Sequence, residues 1–458
     1  MDEYRHPPVR PRRGSTFERG FGAIVLIDLL AVLLVAAVSL ASYVWIESTP
    51  VSAAVIPTQP PSELTAGPSE AASLAPSAGG SGGATSPAAS ATPRPIIVYG
   101  KGTWATVDSL PQARWGAASV VLGDGRVMVV GGATGSSSND ATASVVIFDP
   151  KTGAWSAATS MLQARAYPMA VTLADGSVLV AGGSRNGQPL DTAEVYNPTS
   201  GTWLTTGRLN LPRTQGTLTL LADGRVLAAG GGVEGAPDWI STASAEIYDP
   251  ATGSWAGTAP MSVARAIHTA TLLQDGEVLV TGGATTYHGS TGNVTARAEI
   301  FDPRSGKWRQ VAPLPKPLYV HQAALMPDGR VLVAGGWWAT SNSDPSHGNA
   351  YIYDPATDTW SSTGSLVTPR AQFNLIALPD GRFLAVDGVD PAYHTLASSE
   401  IYDPASGAWQ TTGKLAVATM WPAVGLLPDG RVFIAGGALD ALAGHVTAVA
   451  EIYTPAPK

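Results

Sequence analysis

The chain has 458 residues, with 51 glycines, 36 prolines, 14% charged residues and a formal net charge of −8. It contains no cysteine, which excludes disulfides, thiolate metal sites and a cysteine nucleophile. The acidic balance offers no basic face, so nucleic acid is not expected as a partner.

Residues 1–20 are polar and carry Arg5, Arg10, Arg12, Arg13 and Arg19, which reads as a cytoplasmic tail. Residues 21–45 are apolar except for Asp28 and a few small polar residues. At about 1.5 Å per residue, such a stretch can cross a bilayer core of about 30 Å. It reads as a single transmembrane signal anchor with its arginine-rich flank in the cytoplasm. A cleaved signal peptide is the other reading, with Val51-Ser52-Ala53 as its small-residue cleavage site. Asp28 suits the cytoplasmic interface better than a second membrane helix. Either way, the bulk of the chain is exported. Residues 46–100 are mostly Pro, Ser, Ala, Thr and Gly. That composition cannot bury enough apolar surface to offset ordering, and predicts a disordered stalk.

Residues 101–458 repeat one pattern. Asp-Gly recurs at Asp124, Asp175, Asp223, Asp275, Asp328, Asp380 and Asp429. An aromatic-x-Pro corner recurs at Phe148, Tyr196, Tyr248, Phe301, Tyr353, Tyr402 and Tyr453. Tryptophan recurs at Trp104, Trp155, Trp203, Trp255, Trp308, Trp360 and Trp409, 48 to 53 residues apart. Each repeat predicts four short strands. The first is apolar, as in Ala270 to Leu273, and Asp-Gly then predicts a two-residue hairpin turn. The second is an apolar run such as Val331 to Ala334, buried on both faces and ended by Gly-Gly. The third reads Ala-Glu-(Ile/Val)-Tyr before the proline corner, and the fourth carries the tryptophan that covers the gap between units.

A period of about 50 residues is that of the kelch repeat. The pattern resembles the kelch propeller and the propeller domain of the galactose oxidase group, across residues 101–458. The resemblance implies an all-β, seven-bladed kelch-type β-propeller. It leaves function open, because propellers host many. After residue 110 there are seven turns and seven corners but six of the seven recurring tryptophans. The strand around Trp104 is therefore expected to be the outermost strand of blade 7, beside Ala450–Tyr453.

The repeats also carry an arginine slot: Arg114, Arg165, Arg213, Arg265, Leu318, Arg370 and Thr419. A glutamate slot holds Val146, Glu194, Glu246, Glu299, Tyr351, Glu400 and Glu451. Both are filled in blades 2, 3, 4 and 6 and neither in blade 5, which favours a structural ion pair inside each blade over a cationic ring. Arg114 and Glu451 are left to meet across the seam.

The loops after Gly-Gly, and the links from each tryptophan to the next arginine, share one face and differ in every blade. Variable loops on a rigid frame are where function concentrates. His268 and His321 occupy one slot in neighbouring blades, near the central channel. Tyr319, Trp337, Trp338, Trp239, Tyr393, His394 and Trp421 join them as candidates, with acids at Asp238, Asp344, Asp390 and Asp440. These residues can pack a rim. They can form an aromatic, imidazole-rich cup for a glycan or a protein loop. Alternatively, His268 and His321 with Tyr319 can ligate a transition metal. The galactose oxidase group does use histidine and tyrosine ligands on this face, but its cofactor needs a cysteine cross-linked to tyrosine, which this chain lacks. No cofactor is expected. The sequence reads as a membrane-anchored extracytoplasmic binding module, with a metal-dependent extracytoplasmic enzyme as the alternative.

Overall fold

The computed structural model describes residues 100–457, apart from 136, 234–238, 288–292, 339–347 and 441–443. The expected tail, membrane segment and stalk thus lie outside the described residues. Among the described residues, no helix is long and apolar enough to cross a membrane.

Seven four-stranded antiparallel sheets form the blades of a propeller among these residues. Blade 1 runs Ala118–Val121, Val127–Val130, Val145–Asp149 and Ala154–Ala158, from innermost to outermost strand. Blade 7 runs Ala423–Leu426, Val432–Ala435 and Ala450–Thr454, and its outermost strand is Thr103–Val107 from the other end of the domain. The register pairs Trp104 with Tyr453, as expected from the displaced tryptophan. Closing a ring this way leaves no open seam between first and last blades.

The second strands are the most buried. Every residue of Val331–Ala334 is 0% exposed. Their side chains pack between blades. One cluster joins Met128, Val130 and Ile147 of blade 1 to Val178, Val180 and Tyr196 of blade 2. Each outer tryptophan lies against its own blade's corner aromatic, with ring centroids 4.9–5.1 Å apart. Several indole N–H groups also reach back to the preceding link. Trp203 donates to the Thr159 carbonyl at 2.8 Å, and Trp308 to that of Ala259 at 2.8 Å. The tryptophan therefore spans the blade gap with both its area and its polar edge.

The Asp-Gly hairpin differs from the expected two-residue turn. The Leu122 N–H bonds the Arg126 carbonyl, and the Gly125 N–H bonds that of Leu122, so three residues form the loop. Only the glycine has positive φ, at 87°. This is a turn followed by a left-handed bulge residue. The aspartate acts through its side chain instead: Asp124 accepts from the Arg126 N–H at 3.0 Å and from its Nε at 2.7 Å. Further round the ring, Arg225 and Arg382 also donate to corner carbonyls of the next blade, at Pro303 (3.1 Å) and Ala456 (2.6 Å). The turn face is stitched blade to blade.

The Gly-Gly exits are forced by close approach. A Cβ on Gly131 would lie 2.5 Å from the Arg165 carbonyl of the next blade. Blade 6 departs from the pattern, with Asp387 at φ 59° where the other blades have the first glycine.

Candidate binding face

The arginine slot is scaffold. Arg165 Nη1 donates to the Gly182 and Thr192 carbonyls of its own blade at 2.8 and 2.9 Å, and Nη2 pairs with Glu194 at 2.7 Å. Blades 3, 4 and 6 repeat this with Arg213–Glu246, Arg265–Glu299 (2.7 Å) and Arg370–Glu400 (2.9 Å). Each carboxylate also accepts backbone N–H bonds from the link ahead of it, as Glu194 does from Leu162 and Gln163 at 2.6 and 3.1 Å. The expected meeting of Arg114 and Glu451 does not occur. Arg114 Nη1 is held at 3.2 Å by the Gly131 and Ser144 carbonyls of blade 1. Glu451 accepts from the Ala416 N–H at 3.1 and 3.0 Å. The reason is reach: both side chains are committed to backbone groups of their own neighbourhood. In blade 7 the Thr419 hydroxyl stands in for the guanidinium and donates to the Gly436 carbonyl at 3.2 Å.

His268 and His321 are both 0% exposed, so neither opens onto the loop face. They lie between blades, against glycines of the preceding Gly-Gly pairs, Gly230 and Gly282. His321 Nε2 is 3.0 Å from the Thr281 hydroxyl and 3.2 Å from that of Thr269. His268 Nε2 is 3.4 Å from the Thr217 hydroxyl. Neither Nδ1 finds a hydrogen-bond partner among the described residues. Burial pushes the His321 pKa down to about 3 and moves that of His268 well below its ordinary value. Both rings are therefore neutral. The remaining blades fill this slot with Ala117, Pro168, Gly216, Phe373 and Pro422, which marks it as a spacer between blades. Among the described residues, no three His, Asp or Glu side chains gather in a metal-holding group.

Trp337 and Trp421 also turn inward. They belong to an apolar cluster with Trp115, Tyr167, Ile267 and Val320, drawn from blades 1, 2, 4, 5 and 7 and therefore on the central axis. Trp115 stacks on Trp421 at 5.0 Å, and Tyr167 meets Trp115 edge-on at 5.3 Å. The axis is plugged at its loop-face end. Around the plug, the residue two after each arginine slot has positive φ: Gly116, Tyr167, Gln215, Ile267, Val320, Gln372 and Trp421. β-Branched residues rarely adopt that conformation. A belt of backbone hydrogen bonds holds it, including Tyr167 N–H to the Gly116 carbonyl (2.9 Å) and Gly116 N–H to that of Trp421 (3.1 Å). Residue type alone did not disclose this belt, because isoleucine and valine carry no turn signal.

Among the described candidate aromatics, the ring left most in solvent is Tyr393 of blade 6. Tyr393 is 36% exposed at φ 64°, and its ring packs edge-on against Trp337 at 4.9 Å. Trp337 in turn meets Tyr319 at 5.8 Å. Asp390 builds the loop that presents Tyr393. Its Oδ1 accepts from the Ala392 and His394 N–H groups at 2.8 and 2.9 Å, and its Oδ2 lies 3.1 Å from His394 Nδ1. His445 and Asp440 repeat the imidazole–carboxylate pair in blade 7, at 2.6 Å. The two loops are joined by the Thr395 hydroxyl, which donates to the Leu439 carbonyl at 2.8 Å. Trp338 lies under Lys316, whose Nζ is 3.2 Å from the ring centroid. The backbone of Trp239 pairs with that of Tyr287, in a small sheet joining loops of blades 3 and 4. Asp238 and Asp344 lie outside the described residues.

The kelch motif matches at residues 114–162, 165–207 and 319–366. Those three stretches are kelch repeats. Alpha-scruin from Limulus polyphemus is 31% identical to the kelch propeller over 124 residues, which is 26% of this chain and 13% of that protein. Kelch-like protein 34 from Homo sapiens is 26% identical over 153 residues, 33% of this chain and 23% of that protein. The matched stretches thus span less than a quarter of either relative. A solved fungal alcohol oxidase of the AA5 family, in complex with copper, superposes with a TM-score of 0.63 at 18% identity, covering 77% of this chain and 76% of that one. That likeness is one of fold.

Proposed function

We propose that the kelch propeller is a binding module that engages a protein or glycan through its loop face at blades 5 and 6. We also propose that residues 21–45 hold it at a membrane, with the propeller on the extracytoplasmic side. The observation that supports the binding role is Tyr393: an aromatic ring left partly in solvent, fixed in a left-handed conformation by its loop and braced edge-on by Trp337. A rigid aromatic anchor with a polar neighbour such as the Asp390–His394 pair suits recognition, because little ordering remains to be done on binding. The argument for the anchor is the length and apolarity of residues 21–45.

Unbiased capture from the extracytoplasmic fraction, together with a glycan array, tests the binding role. Bound material should be lost with Tyr393→Ala while the melting temperature is kept. Binding unchanged by that substitution would remove the proposed face. Fractionation tests the anchor: the full chain is expected in the membrane fraction, and deletion of 21–45 should release it.

A further inference from the structure

In blades 2, 3, 4 and 6 one interior position always receives a carboxylate, from Glu194, Glu246, Glu299 or Glu400. Blade 1 keeps the arginine and one backbone donor of that position but not the acid, and Pro111 stands where Leu162 gives its N–H to Glu194 in blade 2. Arg114 is 2% exposed, and its Nη1 is held by the Gly131 and Ser144 carbonyls, as Arg165 Nη1 is held by those of Gly182 and Thr192. The same Nη1 contacts fix the same guanidinium pose, so Nη2 is aimed at the glutamate position. Val146 stands there instead, opposite Ala157 as Glu194 stands opposite Thr205. Valine is shorter than glutamate by the length of the acid group and carries no acceptor. The Gln112 N–H corresponds to the Gln163 N–H, which Glu194 accepts in blade 2.

A buried guanidinium without a counter-ion is costly, and its planar fork matches a carboxylate better than any other common anion. Among the described residues no carboxylate pairs with Arg114, and burial alone lowers its pKa to about 10. We infer that blade 1 carries an anion subsite in which a small monocarboxylate, of acetate or formate size, is bound by Arg114 Nη2 and the Gln112 N–H in the place glutamate takes elsewhere. This subsite lies inside the scaffold and is independent of the recognition face at blades 5 and 6.

Thermal melts of the full chain at neutral pH, in sodium acetate or in sodium chloride at matched ionic strength, test it. Acetate should give a saturable rise on the order of 2 °C that chloride does not. Val146→Glu should raise the melting temperature without acetate and abolish the acetate response. An equal response to both salts, or a full acetate response kept by Val146→Glu, overturns the subsite. If that variant does not fold, the wild-type protein still decides. Line broadening of carbon-13 acetate should be displaced by formate but not by chloride, and its absence overturns the inference.

Discussion

A guanidinium with no solvent exposure depends entirely on the groups around it. Glu299→Gln removes the charge opposite Arg265, and should cost about 3–5 kcal/mol in chemical denaturation, because an unmatched buried cation remains. Glu451→Gln should cost only about 1 kcal/mol, the scale of a lost hydrogen bond, since among the described residues no guanidinium pairs with Glu451 and burial already raises its pKa. The histidines set a different test. The pKa of His321 falls from 6.5 to about 3 through burial. The unfolded ring takes up a proton below about pH 6.5, and the folded ring does not until about pH 3. Its contribution is therefore complete above pH 6.5 and is lost as pH falls through that window, by roughly 2–3 kcal/mol at pH 4.5. Asp387, also buried, has a raised pKa and acts with the opposite sign: its contribution is lost as pH rises above the ordinary carboxylate value. The informative measurement is thus the difference between the wild-type protein and His321→Gln, whose acid limb should be shallower.

At the scale of strands, ring closure carries the sharpest expectation. Trp104 lies 5.1 Å from Tyr453, and its strand supplies the fourth member of blade 7. Trp104→Ala should cost about 3 kcal/mol, and deletion of residues 101–109 should lower the melting temperature further. An unchanged melting curve after the deletion would remove this account of closure. The closure was legible in the sequence because a repeated tryptophan appeared out of phase with its own turns and corners. The second strands were equally legible, since a short apolar run between turn residues has few other uses. The hairpin type was not. Aspartate tolerates a left-handed backbone, and only the structure shows that Asp124 spends its side chain on Arg126 while Gly125 takes the positive φ. The burial of His268 and His321 was half legible. Alanine, proline, glycine and phenylalanine in the same slot already described a spacer, yet imidazole chemistry drew attention to the face.

Across the whole propeller, the plug separates the candidates into two groups. Trp337 and Trp421 face the axis, so the aromatic surface left for recognition is much smaller than the sequence suggested. Nothing in a tryptophan's identity tells which side of a loop it will take; that is decided by the belt of left-handed residues around the axis. Tyr393→Ala should leave stability within about 1 kcal/mol, because the ring is partly exposed, while reducing binding at blades 5 and 6. The borrowed strand has one further consequence. Thr103 pairs with Thr454 at the corner end of blade 7, and the Ala456 carbonyl accepts from Arg382 beside an Asp-Gly turn. Both ends of the propeller therefore emerge from the stitched side. A segment that continues from either described end leaves the propeller on the side opposite the variable loops. Immobilising the propeller through residue 100 or through residue 457 should give the same affinity in a surface-binding assay.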